Sequence, residues 1–294
     1  MSKKFLVTGV TGYVGSKLAK KLISENYEVI AIKRPSSSLK NILEIQDKIT
    51  LYDYDGTINS IEKIFTENKN ISAVFHIASW YLRDHKPENI NDLISSNIIF
   101  SNNLIEAATN NNCLKFVNTT SFTEFGLDGN YNPDSLYSST KKAFREILEY
   151  YTKCRNISAI TLVLYDNYGV DDNRKKLFWL LDDAYKNNRK IDFTEGLQKL
   201  SPVYIDDAIN GYLKAFELLD DKDFQNKNLL YFLASEVFSL REIVEKYIKI
   251  TGKEVSINWG AIDYRNNQIM TPYIGEILPN WKPKILLEEG LKLL

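Results

Sequence analysis

A chain of 294 residues, 44% of them hydrophobic, can bury a sizeable core, either as two domains or as one large α/β unit. Its 37 basic and 38 acidic side chains leave a net charge of −1, and no long basic block occurs, so no nucleic-acid partner is expected. No run of about eighteen apolar residues suggests a membrane-spanning helix, and Met1-Ser2-Lys3-Lys4 does not open a secretory signal, so a cytoplasmic protein is expected.

Lys4–Thr8 reads as a short buried strand that runs into Gly9, Gly12 and Gly15. Val14, Leu18, Leu22 and Ile23 then recur at helical spacing, predicting a helix over Tyr13–Ser24. Further strands are expected at 28–32, 49–52, 73–78, 115–119 and 160–164, with helices at 61–65, 90–110 and 137–153 between them. On the 90–110 helix, Leu93, Asn97, Ser101, Leu104 and Ala108 share one face. On the 137–153 helix, Phe144, Ile147, Leu148 and Tyr151 mark the buried side. Short apolar strands alternating with amphipathic helices imply parallel pairing in an α/β, Rossmann-type doubly wound sheet. After residue 165 the pattern loosens into helices at 177–186, 206–219 and 240–251 and a tail punctuated by Trp259, Pro272, Pro279, Trp281 and Pro283. Residues 1–165 are therefore expected to form the Rossmann domain, and 166–294 a smaller C-terminal lobe that returns strand contributions to the sheet. Asp206-Asp207 is expected to cap a helix and fix the lobe interface, and Trp259 and Trp281 to be core residues. Cys113 and Cys154 fit two buried free thiols. His76 and His85 have no neighbours at ligand spacing, so no metal site is expected.

Gly9-Val10-Thr11-Gly12-Tyr13-Val14-Gly15 lies between the first strand and the first helix. Glycines there let the chain turn tightly and approach a pyrophosphate, while the helix N-terminus offers free N–H groups to the anion. Gly9, Thr11, Gly12, Tyr13, Val14 and Gly15 are accordingly expected to bind a dinucleotide. Eighteen residues after Gly15 come Lys33 and Arg34, with no acid beside them. Two cations at the end of the second strand suit the 2′-phosphate of NADP(H), where NAD enzymes usually place a carboxylate.

Tyr137 and Lys141 stand four residues apart on a predicted helix and so share a face. A nearby cation favours the phenolate, which would let Tyr137 exchange a proton with a substrate oxygen. Thr119-Thr120-Ser121 follows the fifth strand, at the sheet edge where ligands bind in such folds. Asn97 could anchor a water or the lysine.

Taken in order, Thr8-Gly9-x-x-Gly12-x-x-Gly15, His76-Ile77-Ala78-Ser79, Asn97, Thr120-Ser121-x-x-x-Phe125-Gly126, Tyr137-x-x-x-Lys141 and Val203-Tyr204-Ile205-Asp206-Asp207 resemble the extended short-chain dehydrogenase/reductase family of nucleotide-sugar enzymes over nearly the whole chain. The resemblance implies that Ser121 hydrogen-bonds the substrate oxygen, Tyr137 is the acid or base, and Lys141 binds the nicotinamide ribose and tunes Tyr137. It also implies cofactor contacts from Ile77, Ala78, Ser79, Asn97 and Thr119, a nucleotide-sugar site mainly in the C-terminal lobe, and a homodimer. Two departures stand out: Asp166 occupies the place of a family Asn, with Asn167 beside it, and the stretch from Ser121 to Tyr137 is short.

Sugar 4,6-dehydratases of the family carry an Asp-Glu pair directly after the catalytic hydroxyl, whereas Ser121 is followed by Phe122-Thr123. The block from Tyr131 to Lys141 looks particularly like the reductases of 4-keto-6-deoxy nucleotide sugars, of the CDP-abequose, CDP-paratose and dTDP-fucose-forming kind. NADPH-dependent reduction of a sugar C4 ketone is therefore expected, with Trp80, Tyr81, Phe122, Thr123, Asn167 and Arg265 as candidate substrate contacts. An NAD-dependent epimerase and a non-catalytic NADP sensor remain open alternatives.

Overall fold

The computed structural model describes residues 2–294. Seven strands form the central sheet: β1 (Lys4–Thr8), β2 (Glu28–Lys33), β3 (Ile49–Asp53), β4 (Ile71–His76), β5 (Lys115–Ser121), β6 (Ser158–Leu164) and β7 (Asn228–Leu233). All are parallel, in the order β3-β2-β1-β4-β5-β6-β7. The expected doubly wound α/β sheet is thus present, and its last strand comes from the C-terminal part of the chain.

The strands are apolar on both faces because both are covered. Phe5, Val7, Ala73, Phe75 and Val117 point into one core with α1 (Tyr13–Ser24). Leu6, Ile30, Ile32, Val74 and Phe116 point into the other, against α2 (Ile58–Glu67). The long helix expected at 90–110 is interrupted. It begins as α3 (Ile90–Ile94), passes through one π-helical turn at Ser95–Ile99, and continues as α4 (Phe100–Asn110). The π turn holds Asn97, 1% exposed, and such widened turns often occur at functional sites. Helix α5 (Leu136–Arg155) begins on a Ser135 N-cap and ends on Asn156 in the left-handed conformation, both favourable terminators. Its buried side matches the expectation except that Ile147 is only half-buried.

Beyond β6, the chain forms α6 (Leu177–Lys186), α7 (Ile205–Leu218), α8 (Leu240–Thr251), the short α9 (Leu287–Lys292) and several two- and three-residue strands. Helix α7 lies on the α1 face of the sheet, and Gly211 lets it close on Leu233: a Cβ there would come within 2.4 Å of the leucine. Asp207 does not cap α7, whose N-cap is Tyr204. Its buried carboxylate instead accepts the backbone N–H groups of Lys284 (3.0 Å) and Ile285 (2.8 Å), tying the tail to the sheet layer. Trp281 is buried beside it and donates to the Asp207 carbonyl, whereas Trp259 is only half-buried, sandwiched by Arg241 and Phe193. Cys113 is buried as expected, but Cys154 is exposed, because α5 turns that position to solvent. No helix among the described residues is long and apolar enough to cross a membrane.

Candidate active site

Gly9 turns the chain off β1 at φ +71°, and a Cβ there would stand 2.8 Å from the Ala78 nitrogen. Gly15 is tighter still: a Cβ would lie 2.2 Å from the Gly9 carbonyl oxygen. These two glycines let α1 start directly against the ends of β1 and β4. No side chain caps the start of α1 and no acid stands in its first turn, leaving its amide groups to an anion. A cavity of about 710 Å³ opens here, lined by all six predicted loop residues and by Lys33, Arg34, Ile77, Ala78, Ser79 and Trp80. Its size, the cradle that Cβ atoms would fill and the uncapped helix end fit a dinucleotide.

The loop after β4 is held from beneath. Thr8 Oγ1 accepts the N–H groups of Ile77 (3.1 Å) and Ala78 (3.0 Å), so its own proton goes to His76 Nδ1 at 2.9 Å. His76 Nε2 then donates to Ser101 Oγ (2.8 Å), which donates to the Asn97 carbonyl (2.9 Å). Burial, helped by the Lys141 charge, holds His76 well below its ordinary range, so it is a neutral strut. The Asn97 amide neither reaches Lys141 nor lines the dinucleotide cavity. It accepts from Trp80 N (2.8 Å) and donates to the Trp80 carbonyl (3.1 Å) and Thr140 Oγ1 (3.0 Å), setting the loop that crosses the cavity mouth. Thr119 likewise faces away, bonded to Tyr212 in the core.

Tyr137 and Lys141 are buried side chains of α5 and Ser121 ends β5; none of the three lines the dinucleotide cavity, and Ser79, which does, is the nearest link to the Tyr137 phenol. The sequence spacing predicts a tyrosine favoured as phenolate by Lys141; burial acts on the phenol in the opposite sense. Burial pushes the Tyr137 phenol up to about 12, opposed by a hydrogen bond from Ser79. The same burial pulls Lys141 down to about 8, with Glu124 pulling back. A protonated phenol near neutral pH is a proton donor rather than a base. Tyr81 packs edge-on against Tyr137 with ring centres 4.9 Å apart, and half of it remains exposed.

Ser121 Oγ lies 2.8 Å from Thr123 Oγ1, which lies 2.8 Å from Ser138 Oγ; Ser138 donates to Asp134 Oδ1 at 2.8 Å. Thr123 is therefore engaged with its neighbours rather than free at the cleft. Phe122 is likewise committed, stacked on Tyr165 at 5.2 Å. Asn167 is buried, with its Oδ1 unpartnered, and lines a second cavity of about 440 Å³ between α6 and α8 together with Asp166 and Lys176. Arg265 is exposed and sits 3.4 Å from Asp84.

Three features escape a sequence reading. Asp53, at the end of β3, pairs with Lys33 at 2.5 Å, so the expected pair of free cations reduces to Arg34, which has no side-chain partner among the described residues. Arg174 lines the dinucleotide cavity, packed over the Tyr13 ring at 4.5 Å and paired with Asp172. Glu124 is fully buried behind Ser121, against Arg145. Only this last had a signal: a charged residue three places past Ser121, and an arginine one turn beyond Lys141.

The model of a family described as "NAD dependent epimerase/dehydratase family" matches residues 5–228. This chain belongs to that family. Among its relatives, the CDP-abequose synthase of Salmonella muenchen is 30% identical over 99% of this chain and 97% of its own. That of Yersinia pseudotuberculosis is 29% identical over 92% and 91%. The fold matches UDP-glucose 4-epimerase from Thermotoga maritima, solved with UDP-glucose, at a TM-score of 0.86 and 20% identity, covering 99% of this chain and 96% of that one. As a family member the chain is an enzyme with a dinucleotide-binding fold.

Proposed function

We propose that this protein reduces the C4 ketone of a CDP- or dTDP-linked 4-keto-6-deoxy sugar with NADPH. The observation that carries the reading is the full-length likeness to CDP-abequose synthases. Two features of the site support it. No carboxylate follows Ser121 at positions 122 and 123, where an elimination would need one, and the Tyr137 phenol is held protonated, as a reduction needs.

The glycine loop, the α1 N-terminus, Ser79 and Arg34 would hold the cofactor, which when bound supplies the hydride. Tyr137 gives its proton to the oxygen that gains charge, and Ser121 hydrogen-bonds the same oxygen. Lys141, as an ammonium, holds the nicotinamide ribose and steadies the phenolate left behind. Trp80 and Tyr81 shield the reacting oxygen from water, and Asn167 and Arg265 take the sugar and its diphosphate. Tyr137→Phe is expected to abolish NADPH oxidation by CDP- and dTDP-4-keto-6-deoxyglucose while NADPH binding persists. Full activity in that variant would remove Tyr137 from the mechanism.

A second reading, an NAD-dependent epimerase, is favoured by the Asp53 carboxylate beside Lys33 at the adenosine end of the cleft. Dissociation constants for NADPH and NADH separate the two: the reductase reading expects the tighter binding for NADPH.

A further inference from the structure

Ser121 Oγ receives two hydrogen bonds from one residue: the Thr123 N–H at 3.3 Å and the Thr123 hydroxyl at 2.8 Å. A serine hydroxyl has one proton to give and two lone pairs with which to receive. With both lone pairs taken, what Ser121 still offers is its proton. Thr123 also has a single proton. If that proton goes to Ser121, then Ser138 Oγ, 2.8 Å away on the other side of Thr123, must be the donor in their contact. Ser138 is fully buried and lies 2.8 Å from Asp134 Oδ1 as well, so its one proton has two claimants. Ser135 resolves the conflict. Its hydroxyl lies 2.8 Å from the same Asp134 oxygen and serves the carboxylate when Ser138 turns to Thr123. The proton count then closes: Ser135 donates to Asp134, Ser138 to Thr123 and Thr123 to Ser121, and the Ser121 proton is left for a substrate.

The far end of this row is held in place. The Asp134 side chain is 4% exposed, and its other oxygen faces Arg83 Nη2 at 3.4 Å. The Asp134 N–H donates to the Thr123 carbonyl (3.2 Å) and the Asn132 N–H to the Glu124 carbonyl (2.9 Å), which ties the turn carrying Thr123 to the segment that leads into α5. Ser138 is the neighbour of Tyr137 on α5, so the row runs from the strand of Ser121 to the helix of Tyr137. Hydroxyls aligned head to tail polarise one another, which strengthens the last donor of the row.

We infer that Thr123 is a positioning residue that fixes Ser121 as a hydrogen-bond donor toward the oxygen on which charge develops. This rests on the proposed reduction, in which Ser121 and Tyr137 meet the same oxygen. A serine free to rotate would turn a lone pair toward that oxygen for part of the time. Thr123 removes that orientation before the substrate arrives, and a donor oriented in advance needs no rearrangement as the charge forms.

The test is the reduction of CDP- and dTDP-4-keto-6-deoxyglucose by NADPH, in steady state and in single turnovers with enzyme in excess. Thr123→Val keeps the shape of the side chain and removes the hydroxyl, whereas Thr123→Ser keeps the hydroxyl and removes the methyl group. Thr123→Val is expected to lower kcat about tenfold. Its KM and its NADPH dissociation constant are expected to stay near those of wild type, because the interaction is felt in the transition state. Thr123→Ser is expected to retain most of the wild-type kcat. A side chain that only packs predicts the opposite order of the two variants, and that order would overturn the inference. Ser121→Ala is expected to lose about a hundredfold or more, and Thr123→Val added to it is expected to cost nothing further. A double variant that loses a further tenfold or so would make Thr123 a substrate contact in its own right, overturning the inference and leaving the reductase reading intact. A wild type that reduces neither sugar would overturn both.

Discussion

The same burial acts in opposite senses on Tyr137 and Lys141: it keeps the phenol's proton on and loosens the ammonium's. Lys141 falls from an ordinary 10.5 to about 8, so folding releases its proton between those pH values. The unfolded chain binds more protons there, and stability rises with pH across that window. Below pH 8 the full penalty is present, on the order of 3 kcal/mol. Lys141→Met is therefore expected to raise the melting temperature by several degrees at pH 7 while abolishing turnover, with the advantage shrinking as pH rises toward 10; thermal melts at pH 7, 8.5 and 10 would show it. A variant no more stable than wild type at pH 7 would mean that the site hydrates the ammonium. At the adenosine end, Arg34→Ala is expected to weaken NADPH by about tenfold or more and NADH little. Asp53→Asn, which releases Lys33, should shift preference further toward NADPH. Paired titrations with both dinucleotides check these two.

The glycine loop and the π turn place the site at the level of elements. A methyl group at Gly15 meets the Gly9 carbonyl at 2.2 Å, so α1 would have to move away from β1. Gly15→Ala is expected to cost about 1–3 kcal/mol and to abolish dinucleotide binding; urea unfolding and NADPH titration of the same sample would test both. Asn97 holds both backbone groups of Trp80, and the π turn is what aims its amide at them. Helical periodicity placed Asn97 correctly on the buried face of its helix. It could not show the widened turn, because a π turn changes the pitch locally without changing which residues are apolar.

At the scale of the whole molecule, the C-terminal part of the chain is bound to the sheet by β7, by α7 and by the Asp207 carboxylate on the tail. Asp207→Ala breaks two part-buried hydrogen bonds, leaving the N–H groups of Lys284 and Ile285 without their acceptor, and is expected to destabilise the protein by about 1–2 kcal/mol. If the tail then melts separately, the urea transition broadens and its slope falls; an unchanged slope with a lower midpoint would mean that the tail still unfolds with the sheet.

The sequence by itself determined the parallel α/β order and the glycine loop, and it singled out Ser121, Tyr137 and Lys141 as candidates. Those signals are local, carried by apolar periodicity and by motifs spanning a few residues. Only the tertiary structure decided which charges meet: Lys33 with Asp53, Glu124 with Arg145 and Asp207 with the tail are pairings between distant parts of the chain that no periodicity announces. It also decided the direction in which Tyr137 is tuned. Four residues of helix set the lysine near the tyrosine, but desolvation depends on everything packed around the phenol, and here it is the largest influence on it.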